Sequence, residues 1–240
     1  MEQEKSVLFV GSAYNEGIVL ERTLTALYEA LTEHLPNDRW RILVADNASN
    51  DDTPAIAHAF VSTHRLRAAY LSIPARGRGN ALREVARAYP GTTLCFLDAD
   101  LPLNLADLPR VLAPVLRGSA EVAVGKREGR RSLIRTVMTR GWSFACRACF
   151  DLPLADPQCG VVTLSPRAGE VLATGTRQTQ WLINTEFLIA ARAAGLRITE
   201  APVRWIEHRY PERVSTVPIA RYVREGARFL VSASAFLSPL

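Results

Sequence analysis

The chain has 240 residues, 48% hydrophobic and 22% charged, which excludes a disordered, collagenous or coiled-coil protein. At this length folding buries most of the surface without staples, and no apolar run approaches the ~20 residues of a membrane span. Net charge is +5, and since Lys5 and Lys126 are the only lysines, the other 27 of its 29 basic residues are Arg. That bias reflects genomic base composition or a partner that Arg forks suit: phosphate, nucleic acid or anionic lipid.

The N-terminus, MEQEKSVLFVG, has acids where a signal peptide needs bases. The expectation is a mature chain starting at Met1 and staying in the cytoplasm. Val7–Gly11 reads as a strand. Leu20, Leu24, Leu27, Leu31 and Leu35 then recur at helical spacing. Arg41–Ala45 reads as a buried strand ending at Asp46, and Asp51-Asp52-Thr53-Pro54 as a helix start with Pro in the first turn. Strand Ala69–Ile73, helix Asn80–Tyr89, strand Thr93–Leu97, helix Leu105–Leu116 and strand Glu121–Gly125 follow. This alternation predicts an α/β domain: an open, Rossmann-like, mostly parallel sheet with helices on both faces. Ligands bind such sheets at the carboxyl ends of the strands. There the sequence puts Tyr14-Asn15-Glu16, Asp46-Asn47 and Asp98/Asp100.

The second half reads as a helix over Ser132–Phe150, a strand over Cys159–Leu164, a helix over Gln180–Ala194 and a strand over Arg197–Trp205. A basic stretch, His208–Arg213, leads to a last helix near Ile219–Phe236. The expected organisation is one domain over 1–217, divided into halves 1–125 and 126–217, followed by a C-terminal helix over 218–240. Cys146 and Cys149 form a C-x-x-C without a second pair at zinc spacing, so the four cysteines read as reduced core thiols.

Asp98-Ala99-Asp100 is the sharpest local signal. In an extended chain residues i and i+2 share a side, which would put the carboxylates about 4–6 Å apart. At an effective dielectric near 20 their repulsion is about 3–4 kcal/mol. A divalent cation, an Arg or a shared proton would offset it, and Mg²⁺ or Mn²⁺ suits oxygen ligands. Two solvated loop acids are the alternative. Ala75-Arg76-Gly77-Arg78-Gly79-Asn80-Ala81 is a Gly-rich basic loop opening a helix, a place that favours anions. It lacks the third Gly of a dinucleotide fingerprint, and the chain has no P-loop.

In order along the chain stand Ala13-Tyr14-Asn15-Glu16, Asp46-Asn47-Ala48-Ser49-Asn50-Asp51-Asp52-Thr53, Gly77-Arg78-Gly79-Asn80-Ala81-Leu82 and Asp98-Ala99-Asp100. This order resembles the GT-A-fold, family 2 glycosyltransferases. Val124-Gly125-Lys126-Arg127, Asp156-Pro157-Gln158-Cys159-Gly160, Asn184-Thr185-Glu186-Phe187-Leu188 and Ala201-Pro202-Val203-Arg204-Trp205 are similar to later motifs of that family. They point to its branch of polyprenyl- and dolichyl-phosphate sugar synthases, and the resemblance covers residues 7 to about 215.

The resemblance implies an inverting, metal-dependent transferase moving a hexose from a UDP- or GDP-sugar to a polyprenyl phosphate. Ala13, Tyr14, Glu16, Asp46, Arg78, Asp98 and Ala99 would bind the nucleotide sugar. Helix capping at Asn15 and a turn at Asp46 are compatible second roles. Asp98 and Asp100 would hold Mg²⁺ or Mn²⁺, which neutralises a leaving diphosphate. Arg127, Arg135 and Thr139 match positions that grip the acceptor phosphate. Arg is fitted to that by its paired donors, although Arg135 also reads as part of a solvated helix face. Arg209 or Arg213 would complete the grip. Asp156 is a candidate base or acceptor-orienting group, or a structural acid capping a turn. Because a phosphate monoester is mostly dianionic at neutral pH, the acceptor needs positioning rather than a base.

The chain departs from the pattern in places. Ser12 replaces a usual Pro, Ala75 a common Asn and Arg78 a common Lys. Pro102 stands where the mannosyl branch often has a metal-binding Gln, and Asp-Ala-Asp-Leu with Gln158-Cys159-Gly160 looks more like the glucosyl side. On the last helix Arg221, Arg224 and Arg228 accompany Ile219, Tyr222, Val223, Phe229 and Leu230. That pattern suits peripheral contact with an anionic membrane, or packing on the domain. A family 2 enzyme with a soluble hydroxyl acceptor is the alternative function. A basic nucleotide- or RNA-binding module is a further one, supported only by charge. No stacking motif is present, so no nucleic acid partner is expected.

Overall fold

The computed structural model describes residues 6–35, 40–129, 132–206 and 224–230. The chain begins with β1 (Val7–Ala13), α1 (Leu20–His34), β2 (Trp40–Asp46), α2 (Thr53–Thr63) and β3 (Ala68–Ser72). It continues through α3 (Arg78–Ala88), β4 (Thr93–Asp98), a 3-10 turn (Leu105–Asp107), α4 (Leu108–Leu116) and β5 (Val122–Glu128). Then come α5 (Leu133–Phe150), β6 (Val162–Leu164), α6 (Pro166–Gly175), α7 (Ile183–Ala193) and β7 (Ile198–Arg204).

One seven-stranded sheet runs in the order β3-β2-β1-β4-β6-β5-β7. Every pairing is parallel except those of β6, which lies antiparallel between β4 and β5. The strands nearest the middle are apolar throughout. Phe9, Ile42, Leu43, Leu94 and Phe96 are at most 2% exposed, as expected of strands covered on both faces. Burying each such side chain contributes about 1.5–3 kcal/mol. On α1 the leucine row Leu20, Leu24, Leu27 and Leu31 is buried against this sheet.

The order puts β2 and β3 on one side of β1 and β4 on the other. Strand order reverses between β1 and β4, which opens a crevice beyond their carboxyl ends. Register sharpens the location: Ser12 pairs with Asp98, Ala13 with Asp46, and Asp46 with Ser72. Three expected polar clusters therefore end at one level of the sheet.

Several boundaries differ from the sequence expectation. The helix expected over Leu105–Leu116 is split, because Pro109 starts a new helix and Asn104 caps the 3-10 turn through Ala106 N–H (3.1 Å). Strand β6 starts at Val162 rather than Cys159, since Cys159 N–H closes a turn onto Asp156 O (3.1 Å). Helix α6 has no counterpart in the expectation, although Ser165-Pro166 is its signal: Ser165 Oγ accepts from Ala168 N–H and Pro opens the first turn.

The cysteine expectation holds for three positions and is corrected at the fourth. Cys95, Cys146 and Cys159 are buried but Cys149 is exposed, outside the buried row of α5 formed by Ser143, Cys146 and Phe150. Burial pushes each of the three buried thiols up to about 12. Of the expected C-terminal helix, residues 224–230 are helical, and the rest, with Arg221, lies outside the described residues. Phe229 points inward against Trp142 and Phe150, at ring distances of 6.2 and 6.1 Å. Of the two expectations for this helix, Phe229 follows packing on the domain. Glu225 accepts from Trp181 Nε1 (2.6 Å), so this stretch packs on the domain.

Candidate active site

The crevice is built from loops that leave the strand ends and tie to one another. After β1 the chain turns at Asn15, whose φ of 54° is one that Asn tolerates better than most residues. Asn15 N–H donates to Ser49 Oγ (3.0 Å) and its Oδ1 accepts from Asn50 N–H (2.9 Å). Glu16 is buried and its N–H donates to Thr53 Oγ1 (2.8 Å). Gly17 N–H donates to Asp51 Oδ2 (3.0 Å). That carboxyl is held below its usual range: burial raises it, but hydrogen bonds from Thr53 and Gly17 outweigh burial. The β1 and β2 loops thus form one rigid rim. Tyr14 stands on it with Arg76 Cζ 4.0 Å from its ring centre, a cation–π contact.

Asp46 is 3% exposed, yet both its oxygens are satisfied. Oδ2 accepts from Tyr70 Oη (2.8 Å) and Oδ1 from Ser49 N–H (3.1 Å). The turn reading of Asp46 is therefore present in the structure, and it leaves acceptor capacity, since a carboxylate has about four lone-pair sites. Asn47 joins the next loop: its N–H donates to Ala13 O and its Oδ1 accepts from Gly77 N–H (2.9 Å). Ala13 and Ala99 are buried in the core.

The Gly-rich loop does something other than the anion cradling expected of it. Gly79 N–H donates to Thr179 O (2.9 Å). A Cβ on Gly79 would lie 2.0 Å from Gln178 O, and one on Gly77 2.3 Å from Thr179 O. These glycines admit the 178–179 backbone against the start of α3. Arg83 and Glu186 secure that strap, Arg83 donating to Gln178 O and Glu186 Oε2 accepting from Arg177 and Gln178 N–H.

Arg78 instead reaches Asp98 at the tip of β4 and forms an ion pair with it. Asp98 is the last residue of β4, and Leu101 N–H donates back to its carbonyl (2.9 Å). Ala99-Asp100 therefore form a turn, with Leu101 at φ 42°. The extended geometry expected to align the two carboxylates is absent, because that turn ends the strand between them. Asp98 packs on Gly160, where a Cβ would lie 1.9 Å from Oδ2. Among the described residues no group of three or more His, Cys, Asp or Glu gathers as a metal site. The donor set at the tip is carboxylate oxygen on two half-buried residues. It fits a hard cation that keeps water or substrate oxygens in its other positions.

Beside this tip lies a second ion pair. Arg127, on β5, grips Asp156 with Nε and Nη2 at 2.5 and 2.6 Å. The two side chains are 13% and 4% exposed. Burial works against the Arg127 charge, but the Asp156 hydrogen bonds and charge, helped by Cys159 and Asp98, raise its pKa above the ordinary value. Glu200 holds the turn, accepting from Ala155 and Asp156 N–H (2.9 Å each). Two of the five guanidinium donors are used by Asp156, leaving three.

Arg135 and Thr139 lie in the first half of α5, and Arg209 and Arg213 lie outside the described residues. Asn47 and Gly160 enter the sequence reading only as members of motifs, and Tyr70, Arg76 and Glu200 carry no role in it. Asn47 and Arg76 sit inside the quoted motifs, whereas Tyr70 and Glu200 reach their partners across strands, where no local signal exists.

Comparison with known proteins adds the family. Residues 9–149 match the model described as Glycosyl transferase family 2. Glycosyltransferase AglD of Haloferax volcanii is 32% identical over 198 residues, covering 80% of this chain and 32% of that protein. A dolichyl-phosphate beta-glucosyltransferase of Drosophila melanogaster is 29% identical over 219 residues, covering 81% of this chain and 65% of that protein. The chain thus spans 32% and 65% of the lengths of these two relatives. Among solved structures, glucosyl-3-phosphoglycerate synthase from Mycobacterium tuberculosis with Mn²⁺ and UDP-glucose superposes with a TM-score of 0.66 at 20% identity. That match covers 96% of this chain and 78% of the synthase chain, and it establishes the shared GT-A fold.

Proposed function

Given that the chain belongs to glycosyltransferase family 2, we propose that it transfers a hexose, with inversion, from a nucleotide sugar to a polyprenyl phosphate on the cytoplasmic side. The observation that carries the reading is the convergence of Asp46, the Arg78–Asp98 pair and the Arg127–Asp156 pair around the crevice where strand order reverses. The names of relatives support the acceptor class, several being dolichyl-phosphate beta-glucosyltransferases.

Each residue has a task in this reading. Tyr14, Glu16 and Asp46 bind base and ribose; buried acids on a rigid rim suit N–H and hydroxyl donors. Asp98 and Asp100 would hold Mg²⁺ or Mn²⁺, which would supply charge stabilisation to a leaving diphosphate. Arg78, already at Asp98, is placed to meet the diphosphate. Arg127 offers its remaining donors to the acceptor phosphate, with Arg135, Thr139 and Arg209 or Arg213 as further contacts. Asp156 keeps the Arg127 fork aimed. An acceptor phosphate oxygen forms the bond to the anomeric carbon as the bond to the diphosphate oxygen breaks, and the nucleoside diphosphate leaves with the electron pair. No proton need be removed, because the phosphate arrives ionised.

The test is a thermal-shift panel of UDP- and GDP-sugars with and without Mn²⁺, followed by transfer to short polyprenyl phosphates and to hydroxyl acceptors. Ligand at a hundred times its Kd stabilises the folded state by about 2.7 kcal/mol, a clear rise in Tm. A Mn²⁺-dependent rise with transfer to the phosphate is the expected result. No shift with any nucleotide sugar removes the donor assignment, and transfer only to a hydroxyl removes the acceptor.

A further inference from the structure

Asp46 closes β2, and its carboxylate is buried at the level where β1 and β3 also end. A buried carboxylate is costly unless its oxygens find donors. Each oxygen has one here: Ser49 N–H reaches Oδ1 at 3.1 Å and the Tyr70 hydroxyl reaches Oδ2 at 2.8 Å. The first donor is local, in the turn that Asp46 itself begins. The second comes from β3, the edge strand of the sheet. Tyr70 pairs with Val44 and Ser72 with Asp46, so these four residues share one face of the sheet. Tyr70 therefore stands diagonally behind Asp46, at a separation that an aromatic side chain bridges.

The Tyr70 ring is itself held. His58, on α2, packs on it with ring centres 4.2 Å apart. Burial, with the hydrogen bond and charge of Asp46, outweighs a hydrogen bond from Ser72 and raises the phenol above its ordinary pKa. The phenol thus keeps its proton at neutral pH and donates it to Asp46. The carboxylate is left acceptor-only, with about one lone-pair site free on each oxygen. The bond is not needed to join the strands. Their ladder runs from Ile42–Ala68 to Asp46–Ser72, and Ile73 N–H closes it on Asp46 O (2.8 Å). Its distinct effect is on direction, because the last torsion of an Asp side chain is soft and a carboxylate held at one oxygen alone can swing.

We propose that Tyr70 is a positioning residue for donor recognition: by fixing Oδ2 it aims the free lone pairs of Asp46 at the N–H and hydroxyl donors of the nucleoside. The proposal rests on the nucleotide-sugar reading and divides the crevice into two ends. Asp46 and Tyr70 serve the nucleoside, whereas Arg78 and Asp98 stand at the diphosphate. Tyr70 touches no substrate and acts through Asp46. Its hydroxyl sets affinity for the nucleoside and leaves the phosphate end alone.

Calorimetry of the full chain in Mn²⁺, with UDP, GDP and inorganic pyrophosphate, reads the two ends separately. Tyr70→Phe keeps the ring and removes only the hydroxyl. It should weaken binding of the nucleoside diphosphate about tenfold, the effect of losing a hydrogen bond to a charged group, and leave pyrophosphate binding unchanged. In an Asp46→Ala background the same substitution should change affinity no further, because its effect passes through Asp46. Unaltered UDP and GDP affinity in Tyr70→Phe overturns the proposal. So does an equal loss for pyrophosphate, the mark of a clasp that only supports the fold. A further loss in the Asp46→Ala background overturns it as well. A native chain that binds neither UDP nor GDP sinks the nucleotide-sugar reading and the role of Tyr70 with it. A native chain that binds one of them, with Tyr70→Phe indistinguishable from it, sinks the role of Tyr70 alone.

Discussion

Gly160 shows how a single missing side chain positions a charge. Asp98 occupies the space a Cβ would fill, 1.9 Å from that position to Oδ2. The Gly160→Ala substitution therefore has to push the carboxylate off the tip of β4 and away from Arg78. Changing a residue that orients a ligand typically costs 10–100-fold in metal affinity. The expected result is a Mn²⁺ affinity at least about tenfold weaker by calorimetry in the presence of UDP, with the circular dichroism spectrum unchanged. An unaltered Mn²⁺ isotherm would mean that Asp98 does not hold the ion. The Gln158-Cys159-Gly160 motif is legible in the sequence, but its contact with a residue 62 positions earlier is not. Side-chain contacts across strands leave no local pattern.

At the scale of elements, the join between α3 and the 176–180 segment stands out. The basic, Gly-rich stretch reads as an anion cradle, because glycine and a helix start both favour one. In the fold those glycines make room for another backbone, and the Gly79 N–H is taken by Thr179 O. A Gly79→Ala change puts a Cβ 2.0 Å from Gln178 O. Overpacking of this kind costs about 1–3 kcal/mol, to be read as a lower urea midpoint with unchanged slope. A midpoint equal to that of the native chain would show that the strap shifts freely. Helix α5 makes the complementary point. Only the packed domain reveals that Ser143, Cys146 and Phe150 take its inner face and leave Leu133 and Phe144 outside.

At the scale of the molecule, clasps between distant segments set the response to acid. Asp107 is buried at the start of α4 and accepts from Arg204 N–H, Nε and Nη2 on β7 at 2.9–3.0 Å. Burial alone would raise its pKa, but the Arg204 hydrogen bonds and charge, with Arg110, hold it below the usual value. A carboxyl depressed in the folded state adds stability above its unfolded pKa of about 3.9 and loses it as pH falls through the folded value. Tm should therefore drop between pH 5 and pH 3, about the range of that titration. Asp107→Asn should be less stable at pH 6 and show a shallower decline. Parallel declines in the two proteins would remove Asp107 from the account.

The sequence by itself determined the elements and the chemistry at their ends. Apolar runs and the leucine row of α1 decide locally what is strand and what is helix, because burial and period act over a few residues. The motifs at the ends of β1, β2 and β4 likewise named the family. Tertiary structure decided what those residues do to one another. The antiparallel insertion of β6 brings Gly160 to Asp98, the turn after β4 separates Asp98 from Asp100, and Arg127 closes on Asp156. These depend on strand order and register, which arise from the competition of whole elements for one core and are written in no short stretch of chain.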